Sequence, residues 1–256
     1  MSTATTAPAI RFVEVTRRFG AVSAVNSVSL DVSAGSFVAL VGPSGSGKST
    51  LLKMINRLED PDSGSIDLNG LPVTAEPPPQ LRRKIGYVFQ NIGLFPHLSV
   101  GENIRMGLKV AGETLSAERL QEMLQLVDLA PDIALRMPDA LSGGQRQRVG
   151  VARALAPAPQ ILLMDEPFGA LDPVTRDALG REVRAIHDRL GLTTIMVTHD
   201  MAEALLLADR VLVMEQGAIV GDASPADLLA GKGGAVADAL VAIPRDQARR
   251  LAELGS

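Results

Sequence analysis

An α/β fold is predicted by three observations: short runs of apolar residues, helical periodicity between two of those runs, and a glycine-rich turn directly after another. The apolar runs are Phe37–Val41, Ile161–Met164, Thr194–Val197 and Val211–Met214. Strands that are apolar throughout are typical of a parallel sheet, because helices cover both of its faces. The sequence therefore predicts a buried parallel sheet with helices packed against it.

Composition limits the function classes that fit the chain. Its 256 residues suit one large domain or two small ones. A net charge of −4 gives no basic field for nucleic acid, and the absence of cysteine excludes disulfides, thiol catalysis and cysteine-based zinc sites. The three histidines are too scattered to suggest a metal cluster. We expect no membrane span, because no apolar run approaches the roughly 18–20 residues that one requires. We expect no secretory signal, because residues 1–8 lack a charged start followed by an apolar core.

The N-terminal third is expected to form short strands and turns. Two alternating strands, Ile10–Val15 and Val28–Val32, precede the first apolar run. After that run come a hairpin turn at Asn69-Gly70, a proline-rich break at Pro77-Pro78-Pro79 and another short strand at Ile85–Phe89.

Helical signals dominate residues 91–155, where Ser116 is a candidate cap, and we interpret this stretch as a helical insertion. A further helix is predicted from Asp172 as cap and Pro173 in the first turn to Gly191 as its end. On that helix His187 lies among charged neighbours and is expected to be solvated. Another short helix is expected to start at Ser224-Pro225, before a tail at 231–256.

A phosphate-binding loop is predicted directly after the first apolar run. It consists of Gly42, Pro43, Ser44, Gly45, Ser46, Gly47, Lys48, Ser49 and, at the start of the following helix, Thr50. The glycines would let backbone N–H groups surround phosphates at a helix N-terminus. Lys48 would neutralise the β- and γ-phosphates, and the Ser49 hydroxyl would ligate Mg²⁺. The alternative is a glycine-rich turn without a ligand.

Two carboxylates follow the apolar run Ile161–Met164, at the strand end where ligands bind in α/β sheets. Asp165 is placed to hold Mg²⁺, and Glu166 is placed to orient or deprotonate an attacking water. Alone, such a pair could equally be a solvated strand end. Together with the phosphate loop, it predicts nucleotide hydrolysis.

A second anion-binding helix start is predicted at Leu141-Ser142-Gly143-Gly144-Gln145, where Ser142 caps the Gln145–Leu155 helix. The phosphate loop already accounts for one nucleotide's terminal phosphate. A second site therefore suggests contact with the nucleotide of another subunit.

With these motifs, residues 10–225 resemble the ATP-binding cassette (ABC) transporter ATPases. The resemblance implies a P-loop, RecA-like α/β core with an antiparallel β subdomain and the inserted α-helical subdomain. It also implies a head-to-tail homodimer that holds two Mg²⁺-bound ATP molecules between one chain's loop and the other's Ser142–Gln145 segment. Four further residues match family positions: Gln90 at the metal or water, Asp172 at the dimer interface, His199 at the γ-phosphate, and Phe19, where the family more often has tyrosine, on the adenine. The segment Phe95-Pro96-His97 falls where the family docks its membrane subunits.

Three classes compete on the sequence: a transporter subunit, a soluble ABC ATPase, and a P-loop kinase or GTPase. The third has no use for Ser142–Gln145 or His199. The second usually carries a long insertion or a tandem cassette, whereas here Asp165 lies only 117 positions after Lys48. Importer ATPases are favoured by residues 136–141, which resemble theirs.

Residues 53–58 and 85–97 are similar to the osmoprotectant branch, which imports glycine betaine, choline or carnitine. The alternative is an importer of another small polar solute, such as an amino acid or a sulfonate. The expected partners are permease subunits and a solute-binding protein, at the cytoplasmic face of the plasma membrane. We expect an ATPase domain at 8–230 and no ionic-strength sensor in the tail at 231–256, because 34 residues after Asp222 are too few for such a domain.

Overall fold

The computed structural model describes residues 8–254, which fall into two compact units. One unit takes the described residues up to Val73 and from Ile195 onward, and the other is Thr74–Thr194. The expectation of no secretory signal at residues 1–8 lies outside the described residues except for Pro8. Within residues 8–254, no helix has both the length and the apolar character that crossing a bilayer requires.

An antiparallel sheet in the first unit has the strand order β2-β1-β4-β5. The strands are β1 Ile10–Phe19, β2 Val22–Val32, β4 Ser63–Leu68 and β5 Leu71–Pro72. Both central residues of the β4–β5 turn, Asn69 and Gly70, have positive φ angles of 49° and 79°. This is the conformation that the right-handed twist of a hairpin favours, and it confirms the predicted turn. The strand β1 extends beyond its predicted end at Val15.

Parallel strands in the first unit position the phosphate-binding loop. Strand β3 (Phe37–Val41) is buried along its whole length and pairs in parallel with β9 (Arg210–Glu215). Next to β9 lies the antiparallel strand β10 (Ala218–Ala223), and β8 (Thr193–Val197), inside which the unit boundary falls, is the neighbour of β3 on its other side. The β3–β9 pairing confirms two of the apolar runs as buried parallel strands, and β8 confirms a third as a strand.

In the first unit, one helix follows the phosphate-binding loop and three lie in the C-terminal part of the chain. They are α1 Lys48–Ile55, α7 Met201–Leu207, α8 Pro225–Leu229 and α9 Ala235–Leu254. The helix α8 begins after Ser224 as predicted. The sequence predicts only a short amphipathic segment at Arg245–Leu254 in the tail, but α9 begins ten residues earlier, at Ala235, and contains Pro244. Buried Ala237 and Val241 explain the difference, since packing holds this alanine-rich stretch as a helix.

In the second unit, β6 (Ile85–Val88) and β7 (Ile161–Asp165) pair in parallel, with Ile85 opposite Ile161. The chain between them carries α3 Val100–Val110, α4 Ala117–Leu126 and α5 Gly143–Leu155. Residues 91–155 thus hold the predicted helices, while the boundaries of an inserted subdomain stay a prediction. The proline-rich break is in fact the start of a helix, α2 (Pro78–Arg83), because the fixed φ of proline suits a first helical turn.

The last helix of the second unit, α6 (Pro173–Leu190), begins after Asp172 and ends at Gly191 as predicted. The expectation for His187 is wrong. Only 2% of its surface is exposed, and its Nδ1 lies 2.9 Å from Thr194 Oγ1. Helical spacing explains the error, because His187 shares the buried face of Leu179 and Val183 although its sequence neighbours are charged.

Candidate functional site

The loop between β3 and α1 folds around the ammonium group of Lys48. Lys48 Nζ donates hydrogen bonds to the carbonyl oxygens of Gly42 and Pro43, both at 2.8 Å, and lies 3.4 Å from Ser46 Oγ. Lys48 and Ser46 are both buried. Oxygen atoms of the loop thus hold a positive charge against the turn that the glycines create.

The N-terminus of α1 begins without a side-chain cap. Its cap residue is Gly47, in a left-handed conformation with φ 103°, and no side chain caps the helix. The helices α3, α4, α5 and α6, by contrast, each begin with a Ser or Asp side chain that accepts from their first turn. First-turn N–H groups need a partner, and a phosphate is well suited to supply it at this positive end of the helix dipole.

Close backbone neighbours explain why the loop needs glycine. A Cβ at Gly42 would lie 2.0 Å from the Met214 carbonyl oxygen, and a Cβ at Gly47 would lie 1.9 Å from that of Ala24. The N–H of Gly217 also donates to the Ser46 carbonyl at 3.0 Å. The loop is therefore fixed from two sides, by the end of β9 with its turn and by β2. Sequence reasoning missed these neighbours because they contribute backbone atoms from distant positions.

Two more predicted residues lie in the first unit. Phe19, at the end of β1, is 46% exposed, with the Arg17 guanidinium 4.8 Å from its ring centroid. That exposure rules out core packing for Phe19 and leaves a ring face for stacking. His199 is exposed after β8, directly before Asp200, which caps α7.

Asp165 ends β7 in the second unit and is 4% exposed. The Tyr87 hydroxyl donates to Asp165 Oδ2 at 3.5 Å. Burial, followed by the nearby charge of Asp165, raises the pKa of Tyr87, so the phenol stays protonated and acts as a donor. Sequence reasoning missed this phenol, which stands opposite Leu163 in the β6–β7 pair.

Glu166 is held in an unusual backbone conformation, with φ 45°. For a residue with a side chain, this left-handed region costs about 1–2 kcal/mol. Gln90 lies close by, and its Nε2 donates to Glu166 Oε2 at 3.1 Å. The structure thus brings together two of the three predicted catalytic residues within one unit.

The predicted second anion site is a well-formed helix start. Ser142 Oγ accepts from the Gln145 N–H at 3.2 Å, and Gln145 Oε1 accepts from the Ser142 N–H at 3.0 Å. This reciprocal pair is a capping box. A Cβ at Gly144 would lie 2.6 Å from Thr175 Cγ2, so the helix starts of α5 and α6 pack closely. Gly143, at the first position of α5, is partly exposed beside them.

Asp172 caps α6 by accepting from the Val174 and Thr175 N–H groups at 3.1 and 3.0 Å. Hydrogen bonding, first to the Thr175 side chain and then to its backbone, lowers the pKa of Asp172. The carboxylate is therefore ionised at neutral pH, next to the start of α5.

An apolar groove of about 730 Å³ also lies in the second unit. Its lining includes Tyr87, Phe89, Phe95, Met106 and Val110. Phe89 and Phe95 are 42% and 40% exposed, which is unusual for residues of this size.

The chemistry of the predicted phosphate-loop residues and of Asp165 fits ATP and Mg²⁺. The uncapped start of α1 and the buried Lys48 would supply donors and charge to phosphates, and Ser49, next in the helix, is partly exposed. Ser44, Gly45 and Pro43 are exposed along the loop. Hydroxyl and carboxylate oxygens, as on Ser49 and Asp165, are the donors that Mg²⁺ prefers.

A glycine loop after a buried parallel strand, followed by a strand-end Asp-Glu pair, defines the class of P-loop nucleoside triphosphatases. Comparison with known proteins narrows this class. A family model described as ABC transporter matches residues 25–169.

Among curated relatives, the glycine betaine/carnitine/choline transport ATP-binding protein OpuCA of Bacillus subtilis (strain 168) is 50% identical over 82% of this chain and 56% of its own length. The glycine betaine uptake system ATP-binding protein YehX of Escherichia coli (strain K12) is 50% identical over 86% of this chain and 72% of its own. A sulfate/thiosulfate import ATP-binding protein, CysA of Synechococcus elongatus, is 49% identical.

Solved structures agree with the family. The ATP-binding cassette MJ0796, a dimer bound to ADP and Pi, is 33% identical with a TM-score of 0.75, over 84% of this chain and 98% of that one. The chain belongs to the ABC transporter family. It spans little more than half the length of several curated relatives, including the OpuCA protein.

Proposed function

We propose that the chain is the ATP-hydrolysing subunit of an ABC importer. The observation that carries this proposal is that one chain contains both a phosphate-loop helix without a side-chain cap and a Gln90–Glu166 contact next to Asp165. Lys48 and the N-terminus of α1 bind the phosphates. Glu166, oriented by Gln90, positions the attacking water and accepts its proton. Mg²⁺ held by Ser49, Asp165 and Gln90 would neutralise phosphate charge. Phe19 stacks on the base, and His199 contacts the γ-phosphate.

The active form is a head-to-tail homodimer in which Ser142, Gly143, Gly144 and Gln145 of one chain complete the nucleotide site of the other. The dimeric cassette with bound ADP and Pi supports this arrangement. Asp172 lies beside that helix start and belongs to the same interface. Because nucleotide completes the interface, the chain should be mostly monomeric without ATP.

The membrane partner is a pair of permease subunits, with a solute-binding protein completing the complex. Names of the relatives, which are transport ATP-binding proteins, support this assembly. The exposed Phe89 and Phe95 in the apolar groove fit the docking of a permease segment. The chain therefore works as a peripheral protein on the cytoplasmic face of the plasma membrane.

The solute is an osmoprotectant such as glycine betaine, choline or carnitine, as the names of several relatives suggest. A second candidate is another small polar solute, because the sulfate/thiosulfate relative is nearly as similar, at 49% identity.

Reconstitution tests the proposal. The full chain should hydrolyse Mg·ATP, and Lys48→Met should not. Proteoliposomes with the copurified permease and binding protein should accumulate labelled glycine betaine or choline, but not sulfate. Accumulation of sulfate alone would favour the second candidate, and no hydrolysis would refute the ATPase assignment.

A further inference from the structure

The segment after Gln90 is held at its far end by α3. Residues 91–98, which lead from β6 to α3, contain neither helix nor strand. Asn103 of α3 is fully buried, and its Oδ1 accepts from the Phe95 N–H at 2.8 Å. Its Nδ2 donates to the carbonyls of Phe95 and Leu98 at 3.1 and 2.9 Å. One amide side chain thus fixes the end of this segment.

The near end of the segment is held by α5. Arg153, in the last turn of that helix, donates from Nη1 to the Gly93 carbonyl at 2.7 Å and from Nη2 to the Ile92 carbonyl. Burial lowers the pKa of this guanidinium, which stays charged at neutral pH because arginine retains its proton in proteins. A planar fork can reach two neighbouring carbonyls together, whereas a lysine ammonium is a single point charge.

A second contact joins the same helix to the same residues. A Cβ at Gly150, one turn before Arg153, would lie 2.9 Å from Ile92 Cγ2. Ile92 therefore packs directly on the backbone of α5. Glycine at this position allows a close approach that any larger side chain would prevent.

These contacts connect two parts of the proposed site. Ile92 lies two positions after Gln90, whose Nε2 reaches Glu166 at 3.1 Å. The helix α5 begins at Ser142, in the proposed dimer contact. At 1.5 Å per residue, its 13 residues span about 20 Å. The helix thus has the Ser142 segment at one end and the anchor of the Gln90 segment at the other.

We propose that Arg153 is a positioning residue that couples α5 to Gln90. A shift of α5, when Ser142 meets the partner's nucleotide, is passed through Arg153 to residues 92–93 and so to the Gln90–Glu166 contact. This inference rests on the proposed ATP hydrolysis. It assigns to Arg153 the control of turnover, without a role in nucleotide binding.

Variants of the full chain test the coupling. Arg153→Gln should lower kcat by about tenfold or more, since small displacements of catalytic groups carry penalties of that size. The KM for ATP and the affinity of the P-loop for nucleotide should stay within about twofold. Arg153→Lys should restore part of kcat. The matched control is Arg119→Gln, which removes an arginine of α4 that pairs with Glu122 at the surface.

A glycine pair tests the same contact independently. Gly150→Ala pushes against Ile92 and should also lower kcat with little change in KM. Gly107→Ala is its control in α3, because a Cβ there would lie 3.9 Å from Pro157 Cγ, an ordinary contact distance. Circular dichroism and thermal unfolding should show that all variants are folded.

A label reports the coupling directly. The chain has no cysteine, so Asn91→Cys, next to Gln90, carries a single spin label or fluorophore. Addition of Mg·ATP should change its signal in the parent and in Arg119→Gln, and the change should be lost in Arg153→Gln. A merely structural role for Arg153 would lower stability and leave this response intact.

The outcomes are distinct. Turnover and label response in Arg153→Gln equal to those of Arg119→Gln would overturn the coupling, as would a loss of ATP binding in place of kcat. If Arg153→Gln does not fold, Arg153→Lys and Gly150→Ala decide, and normal kcat in both overturns it. Absence of hydrolysis in the parent chain would refute the proposed function instead.

Discussion

Replacement of the Glu166 carboxylate by an amide tests the proposed chemistry most directly. In the structure, Glu166 Oε2 accepts from Gln90 Nε2 at 3.1 Å. In Glu166→Gln the new side-chain oxygen can accept the same hydrogen bond, and the change keeps both the volume and the Cβ. Position and local backbone are therefore preserved, and the basic carboxylate is the group that is lost.

The expected effect follows from that loss. A positioned general base contributes about 10²- to 10⁴-fold to the rate, so kcat should fall at least about 10²-fold. Each factor of ten corresponds to about 1.4 kcal/mol, which makes the loss at least about 3 kcal/mol of transition-state stabilisation. Nucleotide affinity should stay within about twofold, because in the proposed mechanism Glu166 acts on the water and not on the phosphates.

Phosphate release under saturating Mg·ATP measures the first effect, and equilibrium binding of a fluorescent ATP analogue measures the second. Size-exclusion chromatography with ATP should reveal a dimer that persists because hydrolysis no longer reopens it. Glu122→Gln, an exposed change on α4, is the matched control and should behave as the parent. Near-normal phosphate release by Glu166→Gln would remove this carboxylate from the role of base.

Three further predictions concern the interface, the loop and the tail. Ser142→Arg should leave ATP binding by a single chain nearly unchanged but abolish ATP-dependent dimerisation in light scattering; a collapse of single-chain affinity would contradict the two-chain site. Gly47→Ala should destabilise the fold by several kcal/mol in thermal or urea unfolding, because its Cβ would lie 1.9 Å from the Ala24 carbonyl, whereas Gly45→Ala, with nothing within 4 Å, should cost about 1–2 kcal/mol. Equal losses would show that backbone conformation alone decides. In the reconstituted transporter, deletion of residues 231–256 should leave the salt dependence of ATPase activity unchanged, and a cooperative activation that vanished with the tail would contradict this.

Local signals in the sequence predicted most of the fold. The run Phe37–Val41 needs no partner to be recognised as a buried strand, and Asp172 with Gly191 delimits a helix through caps that act within a few residues. His187 was misread because its charged neighbours in sequence lie on another face of the helix. The length of α9 was missed because its first half owes its helical state to packing of Ala237 and Val241.

The candidate site likewise contains residues that the sequence predicts and contacts that only the structure reveals. Residues of the phosphate loop and the Asp165-Glu166 pair lie in contiguous motifs, so they could be found from the sequence. The Tyr87 hydroxyl, the Met214 carbonyl and the Arg153 fork lie far along the chain from the groups they contact. Backbone carbonyls leave no mark on residue type, and only the three-dimensional structure reveals such contacts.

The left-handed backbone of Glu166 has a consequence for anyone who engineers this protein for heat resistance. Glycine tolerates φ 45° without the side-chain penalty, so a screen that scores folding alone will favour Glu166→Gly. In the proposed mechanism, this more stable Glu166→Gly variant would be catalytically inactive. Selection for stability and selection for turnover therefore favour different residues at this position, and a library built from this chain should keep Glu166 fixed.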